Sequence, residues 1–189
     1  MGSHFGILSQ EDFLDSQKRK IRTQEAIDNW HLLADYGQKK GLKFLSWEPM
    51  SIGREFGETI KKASKLQQML NENSPLPFKI CLDVDHGDIQ SNDPRDFDPY
   101  AWISSFAKDA PLIHLKQSQK DKGGHWPFTA YYNERGKINP TKILQALREC
   151  GPKEATLYLE LSFKEREPFD SSVIPVLKES VDYWREAGL

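Results

Sequence analysis

The chain has 189 residues, of which 29% are charged, and a formal net charge of −2. That length suffices for one domain with a sizeable core, read here as a single unit over residues 1–189, and the balanced charge argues against a nucleic-acid binder, which carries a strong basic excess. Two cysteines, Cys81 and Cys150, make no disulfide framework and point to a reducing, cytoplasmic setting, while no apolar run approaches the ~20 residues that span a bilayer.

No basic region followed by an apolar one opens the chain, so no secretory signal is expected. Residues 2–8, GSHFGIL, read as a short strand and its loop, although the opening MGSH also has the look of a tag remnant. Residues 17–40 read as a helix with an apolar stripe of Ile21, Ala26, Ile27, Trp30, Leu33, Ala34 and Tyr36, stopped by Gly41. A strand over 42–47 and a helix over 55–72 follow, then a strand over 78–83. The spacing predicts a helix over 98–110, with Asp98 as cap and Pro99 at its first position. A strand over 112–116 leads into a polar and aromatic loop over 117–137, long enough to suggest function. Asn139 caps a helix over 140–150 with Pro140 at its start; a strand over 155–161 and a helix over 171–187 complete the order. Five strands alternating with five helices argue an α/β fold with a parallel sheet. A closed eight-stranded barrel takes about 250 residues, so this is a partial (β/α)8 barrel.

Four polar residues stand at the ends of these strands: Glu48 in KFLSWEPM, Asp83 in FKICLDVDHGD, His114 in PLIHLKQS and Glu160 in ATLYLELS. Parallel strands all end on one edge, so the four can converge. Three carboxylates and an imidazole suit a divalent cation. Each has a plainer reading. Glu48 could cap the helix that follows, His114 could be a hydrogen-bonded core residue, and Glu160 could point outward from an edge strand. Asp83 is preferred because it directly follows the apolar run, with Asp85 or Asp88 as the alternative ligand. Arg54 and Glu58 also have the spacing of an ordinary helical ion pair. The His125-Trp126-Pro127-Phe128 segment also reads as a packed aromatic loop, and His4 as a solvated terminal residue.

The segments GSHFGI, WEPMSIGREFGETI, CLDVDHGD, IHLKQS with GGHWPFT, and YLELSF resemble the xylose-isomerase-like superfamily of sugar phosphate isomerases and epimerases. The segments EPMSI, REFG and HWPF resemble most its erythrulose-phosphate 3-epimerase branch. The resemblance spans essentially the whole chain and implies that its strands are the fourth to eighth of the barrel. The first three βα units have no counterpart, and the open sheet edges this leaves favour a homo-oligomer.

The resemblance implies a divalent-metal-dependent enzyme of a sugar phosphate, with no nucleic-acid or membrane partner. Proton transfer would pass through a cis-enediolate on a short ketose phosphate such as erythrulose phosphate. Glu48, Asp83, His114 and Glu160 would hold the metal, with Mn²⁺ or Mg²⁺ favoured by the oxygen-rich set and Co²⁺ or Zn²⁺ also possible. Glu48 and Glu160 would double as the proton-transfer pair on opposite sides of the substrate. His86 would bind substrate oxygens and Arg54 its distal phosphate. Lys116, Lys120 and His125 would assist, while Trp126 and Phe128 would cover the sugar. Two alternatives remain at this stage: a 3-oxo sugar-acid phosphate decarboxylase of the same fold, and a non-catalytic half-barrel serving as an interaction module. A multi-zinc nuclease of this fold is disfavoured, because it needs many more histidines than the five present.

Overall fold

The computed structural model describes residues 3–119, 122–166 and 169–189. β1 (Ser3–His4) leads through a short helix, α1 (Gln10–Leu14), into α2 (Ser16–Lys39). β2 (Leu45–Glu48), α3 (Ile60–Asn71), β3 (Phe78–Asp83), α4 (Pro99–Phe106) and β4 (Leu112–Leu115) follow in alternation. A hairpin of β5 (Gln117–Gln119) and β6 (Gly123–Trp126) then precedes α5 (Ala130–Asn133), α6 (Pro140–Cys150), β7 (Thr156–Leu159) and α7 (Val173–Glu186). Five strands form one parallel sheet in the order β1-β2-β3-β4-β7. This is the expected α/β arc of a (β/α)8 barrel, with helices returning the chain to each next strand. Among the described residues no helix is long and apolar enough to cross a membrane.

The helix starts follow from short polar caps. Asp98 accepts a hydrogen bond from Tyr100 N and Asn139 one from Lys142 N, with Pro99 and Pro140 in the first turns. Asp15 accepts from Gln17 N and Lys18 N at 2.9 and 3.0 Å, which splits the expected 17–40 helix from a separate α1. The expected 2–8 strand shrinks to two residues because Leu8 N turns away to donate to Arg54 O. The expected helix over 55–72 starts only at Ile60. Phe56 and Gly57 both take positive φ, 68° and 81°, and Thr59 caps the helix beyond that turn. The expected 98–110 helix ends at Phe106 and tightens into a 3-10 turn over Ala107–Asp109. The 117–137 loop is not structureless: it holds the paired strands β5 and β6, the second opening on Gly123 at φ 62°, and α5.

Alternation along the strands divides the sheet into two faces. Trp47, Phe78, Ile80, Leu82, Ile113 and Leu115 point to the helices and are buried. The register pairs Ser46 with Lys79, Asp83 with His114, and His114 with Tyr158, so the opposite face is largely polar. α2 packs through Ile27, Ala34 and Gly37, whereas Ile21, Leu33 and Tyr36 of the expected stripe are exposed. Its apolar residues spread wider than the one face that the sheet and α3 can cover. Truncating Ile80, fully buried at the centre of the sheet, to alanine should cost about 2–5 kcal/mol of unfolding free energy in a urea titration. A loss under ~1 kcal/mol would mean that this layer is not the core.

Candidate metal centre

Glu48 is the last residue of β2 and Asp83 the last of β3; His114 lies one residue inside the end of β4, and Glu160 just follows β7. The parallel pairing therefore carries all four to one edge. Their nearest donor atoms lie within 4.8 Å of one another. His114 is the hub, with Nδ1 at 3.2 Å from Glu48 Oε1 and 3.6 Å from Glu160 Oε1. Glu48 thus faces the cluster rather than capping a helix, since Thr59 caps α3. Glu160 faces inward although β7 is an edge strand, because Glu160 N donates to Leu115 O and carries the side chain onto the face of His114.

Asp83 is buried, and its Oδ1 accepts from Asp85 N at 2.7 Å. Neither Asp85 nor Asp88 joins the group. Asp85 forms a buried ion pair with Lys137, and Asp88 Oδ1 accepts from Gln90 N. His86 follows β3 in the same loop; its Nδ1 donates to Pro49 O at 2.9 Å and lies 3.3 Å from Glu48 Oε1. Lys116, 2% exposed, is the one buried lysine among the described residues. Its Nζ stands 2.9 Å from Asp83 Oδ2, 3.0 Å from His125 Nε2, 3.2 Å from His86 Nε2 and 3.6 Å from Glu160 Oε2.

Electrostatics follows from this crowding. Burial pushes the Asp83 carboxyl up, against the pull of His86 and Lys116. Glu160 is held well below the usual carboxylate range, first by His125 and also by Lys116 and His114. His114 is pushed up to about 11 by its contacts with Cys81 and Glu48, so a cation at Nδ1 would have to displace a proton. Asp83 Oδ2 and Glu160 Oε2 are buried atoms without a hydrogen-bond partner, although Lys116 faces both. Buried carboxylate oxygens left this way have spare coordination capacity, which suits a hard divalent cation.

Other expected contributors make contacts of their own or pack into the core. Arg54 does not pair with Glu58, which bonds Lys62 instead; Arg54 Nε donates to Leu8 O at 2.8 Å. Phe128 is fully buried against Trp184 and Tyr183, at centroid distances of 5.2 and 6.0 Å, so it is core and does not cover a sugar. Trp126 packs on Tyr132. His4 is exposed and in register with Glu48. Lys120 lies outside the described residues. Sequence reasoning passed over Cys81, whose Sγ lies 3.3 Å from His114 Nε2. The signal was present, because Cys81 lies two residues before Asp83 on one strand and so on the same face.

No model of a known protein family matches the chain. It is 48% identical over 185 residues to D-erythrulose 1-phosphate 3-epimerase of Brucella abortus (strain 2308), covering 97% of this chain and 60% of that protein. The chain thus spans 60% of the length of this curated relative. In fold it is similar to a solved chain from Rhodospirillum rubrum ATCC 11170 named after xylose isomerase, with a TM-score of 0.86 at 23% identity. That likeness covers 100% of this chain and 62% of the other. The first bears the name of the branch that the segments resemble, and the second carries the xylose isomerase name.

The loop that presents His86 depends on Gly87, at φ 139°, where an added Cβ would meet Asp96 O at 1.9 Å. Gly87→Ala should lower unfolding free energy by more than ~1 kcal/mol in urea, because both the conformation and the space are denied. An alanine variant as stable as the parent would show that this loop is not held as described.

Proposed function

We propose, from the chain's kinship with the erythrulose-phosphate 3-epimerase branch of the xylose-isomerase-like superfamily, that the strand-end cluster performs proton transfer on a short ketose phosphate. The reaction is an epimerisation beside a carbonyl, through a cis-enediolate. The observation that carries this reading is the convergence of Glu48, Asp83, His114 and Glu160 within one ligand sphere. The orphaned oxygens of Asp83 and Glu160 fit a divalent cation held by those four residues, with Mn²⁺ or Mg²⁺ best matched to so many oxygens. When bound, it supplies Lewis acidity to the substrate oxygens.

The side chains divide the remaining work. Glu160, held ionised by His125 and Lys116, takes the proton from the carbon next to the carbonyl. Glu48, which like Glu160 contacts His114 Nδ1, enters protonated and gives its own proton to the opposite face of the carbon, which inverts the centre; Glu160 then releases the proton it took to solvent and Glu48 takes one up. His86, its Nδ1 fixed through Pro49 O, presents Nε2 as an acceptor to a substrate hydroxyl, and Lys116 presents Nζ as a donor to a substrate oxygen. His125, touching both Lys116 and Glu160, orients the second carboxylate. Arg54, whose Nε donates to Leu8 O, is assigned the substrate's phosphate through the guanidinium nitrogens that this bond leaves free. Epimerase and isomerase chemistry share these steps, and the name of the 48% identical relative favours the epimerase.

Glu48→Gln and Glu160→Gln should each abolish exchange of the substrate's C–H proton with solvent deuterium, a loss on the order of 10²–10⁴-fold. Exchange at the parental rate in both variants would sink the proton-transfer assignment. Mn²⁺ at a hundredfold excess over its Kd should stabilise the chain by about 2.7 kcal/mol, read as a raised melting temperature. A melting temperature indifferent to Mn²⁺, Mg²⁺ and Co²⁺ would sink the metal assignment.

A further inference from the structure

We infer that Cys81 is a positioning residue for the metal centre: its sulfur accepts the Nε2 proton of His114, so that Nδ1 is the nitrogen that yields its proton to the cation. This inference rests on the metal reading of the site given above. Cys81 is fully buried in β3, two residues before Asp83 and on the same face of the sheet. Its Sγ lies 3.3 Å from His114 Nε2. On the other side of the ring, Nδ1 faces the carboxylates of Glu48 and Glu160 at 3.2 and 3.6 Å. Each ring nitrogen therefore faces a different group, and the inference is which of them keeps the proton once a cation is bound.

A neutral imidazole carries its proton on one nitrogen only. A ligand histidine needs its bare nitrogen toward the metal and its N–H toward an acceptor that fixes the tautomer and the ring angle. In most such sites the acceptor is a carboxylate, a carbonyl or water. Here the described partner of Nε2 is a thiol sulfur, a weak acceptor that is itself fully buried. The edge of Tyr158, with centroids 6.4 Å apart and planes at 84°, braces the ring from the neighbouring strand.

Cys81, Glu48 and His114 also lie close enough to form a three-residue ligand group of their own. The two roles make opposite predictions. As a positioning residue, Cys81 is replaceable by another small acceptor and makes no bond to the metal. As a ligand it is not replaceable by serine and gives a thiolate signature.

The test titrates Mn²⁺ into the full chain as the parent, Cys81→Ala, Cys81→Val and Cys81→Ser. Alanine and valine, with no acceptor, should each raise the Kd on the order of 10-fold; serine should restore most of the affinity. The visible Co²⁺ absorption should change in the alanine and valine variants and return in the serine variant, with no thiolate-to-cobalt charge-transfer band in the parent. Equal Mn²⁺ affinity in the parent, Cys81→Ala and Cys81→Val overturns the positioning role while the metal site stands. A thiolate band in the parent that Cys81→Ser loses makes Cys81 a ligand and likewise overturns it. A parent chain that takes up neither Mn²⁺ nor Co²⁺ overturns this inference together with the metal reading beneath it.

Discussion

Parallel pairing of β3 with β4 sets Asp83 directly beside His114, and the rest of the site is arranged around that register. Parallel strands must be joined by crossovers, so each helix returns the chain to start the next strand at the same end. Every strand then delivers its last residues to one edge. A shift of one residue would turn Asp83 into the helix layer and Leu82, now buried there, into the site. The apolar residues on the helix side forbid that shift, because Trp47, Ile80, Leu82 and Ile113 would all exchange a dry environment for a polar one. The hydrophobic layer thereby holds the polar cluster in place, although the two share no face.

That cluster gathers more charge than a protein interior tolerates without partners. Asp83 is buried with an ammonium 2.9 Å away, and Lys116 has two imidazoles and a second carboxylate around it. Opposite charges at such distances offset the cost of removing each from water only when most of their hydrogen bonds are made. Here Asp83 Oδ2 and Glu160 Oε2 lack theirs. Such groups are rare in folded proteins, and a bound ion or a catalytic role accounts for them, which is the common ground between the arrangement and the proposed chemistry.

Much of this was legible from residue order. Asp98, Pro99, Asn139 and Pro140 mark their helix starts because capping is local. The four strand-end residues were readable because parallel order converts strand position into spatial position. What escaped reading depended on distant contacts or unusual backbone. Phe56 at φ 68° breaks a good helical pattern, and no aromatic residue advertises that conformation. The 117–137 segment read as loop because its glycines and lysines hide two short strands that pair only with each other. Phe128 read as a sugar cover because its burial against Trp184 is a contact across 56 positions of sequence. The plainer reading of Arg54, a helical ion pair with Glu58, failed because the acceptor of its Nε is Leu8 O, 46 positions away in sequence.

Glu160 differs from the other three cluster residues in how it is held. Glu48, Asp83 and His114 sit on strands with a neighbour on both sides. β7 pairs with β4 alone among the described strands, and Glu160 lies beyond its last residue. Two backbone bonds steady it, from its own N–H to Leu115 O and from Ser162 N to His125 O. Its side chain is 38% exposed, against 6% for Glu48 and 0% for Asp83. Three groups of the centre are thus anchored between paired strands and the fourth stands at the sheet's edge, so a cation arriving there would find most of its ligand sphere already in place.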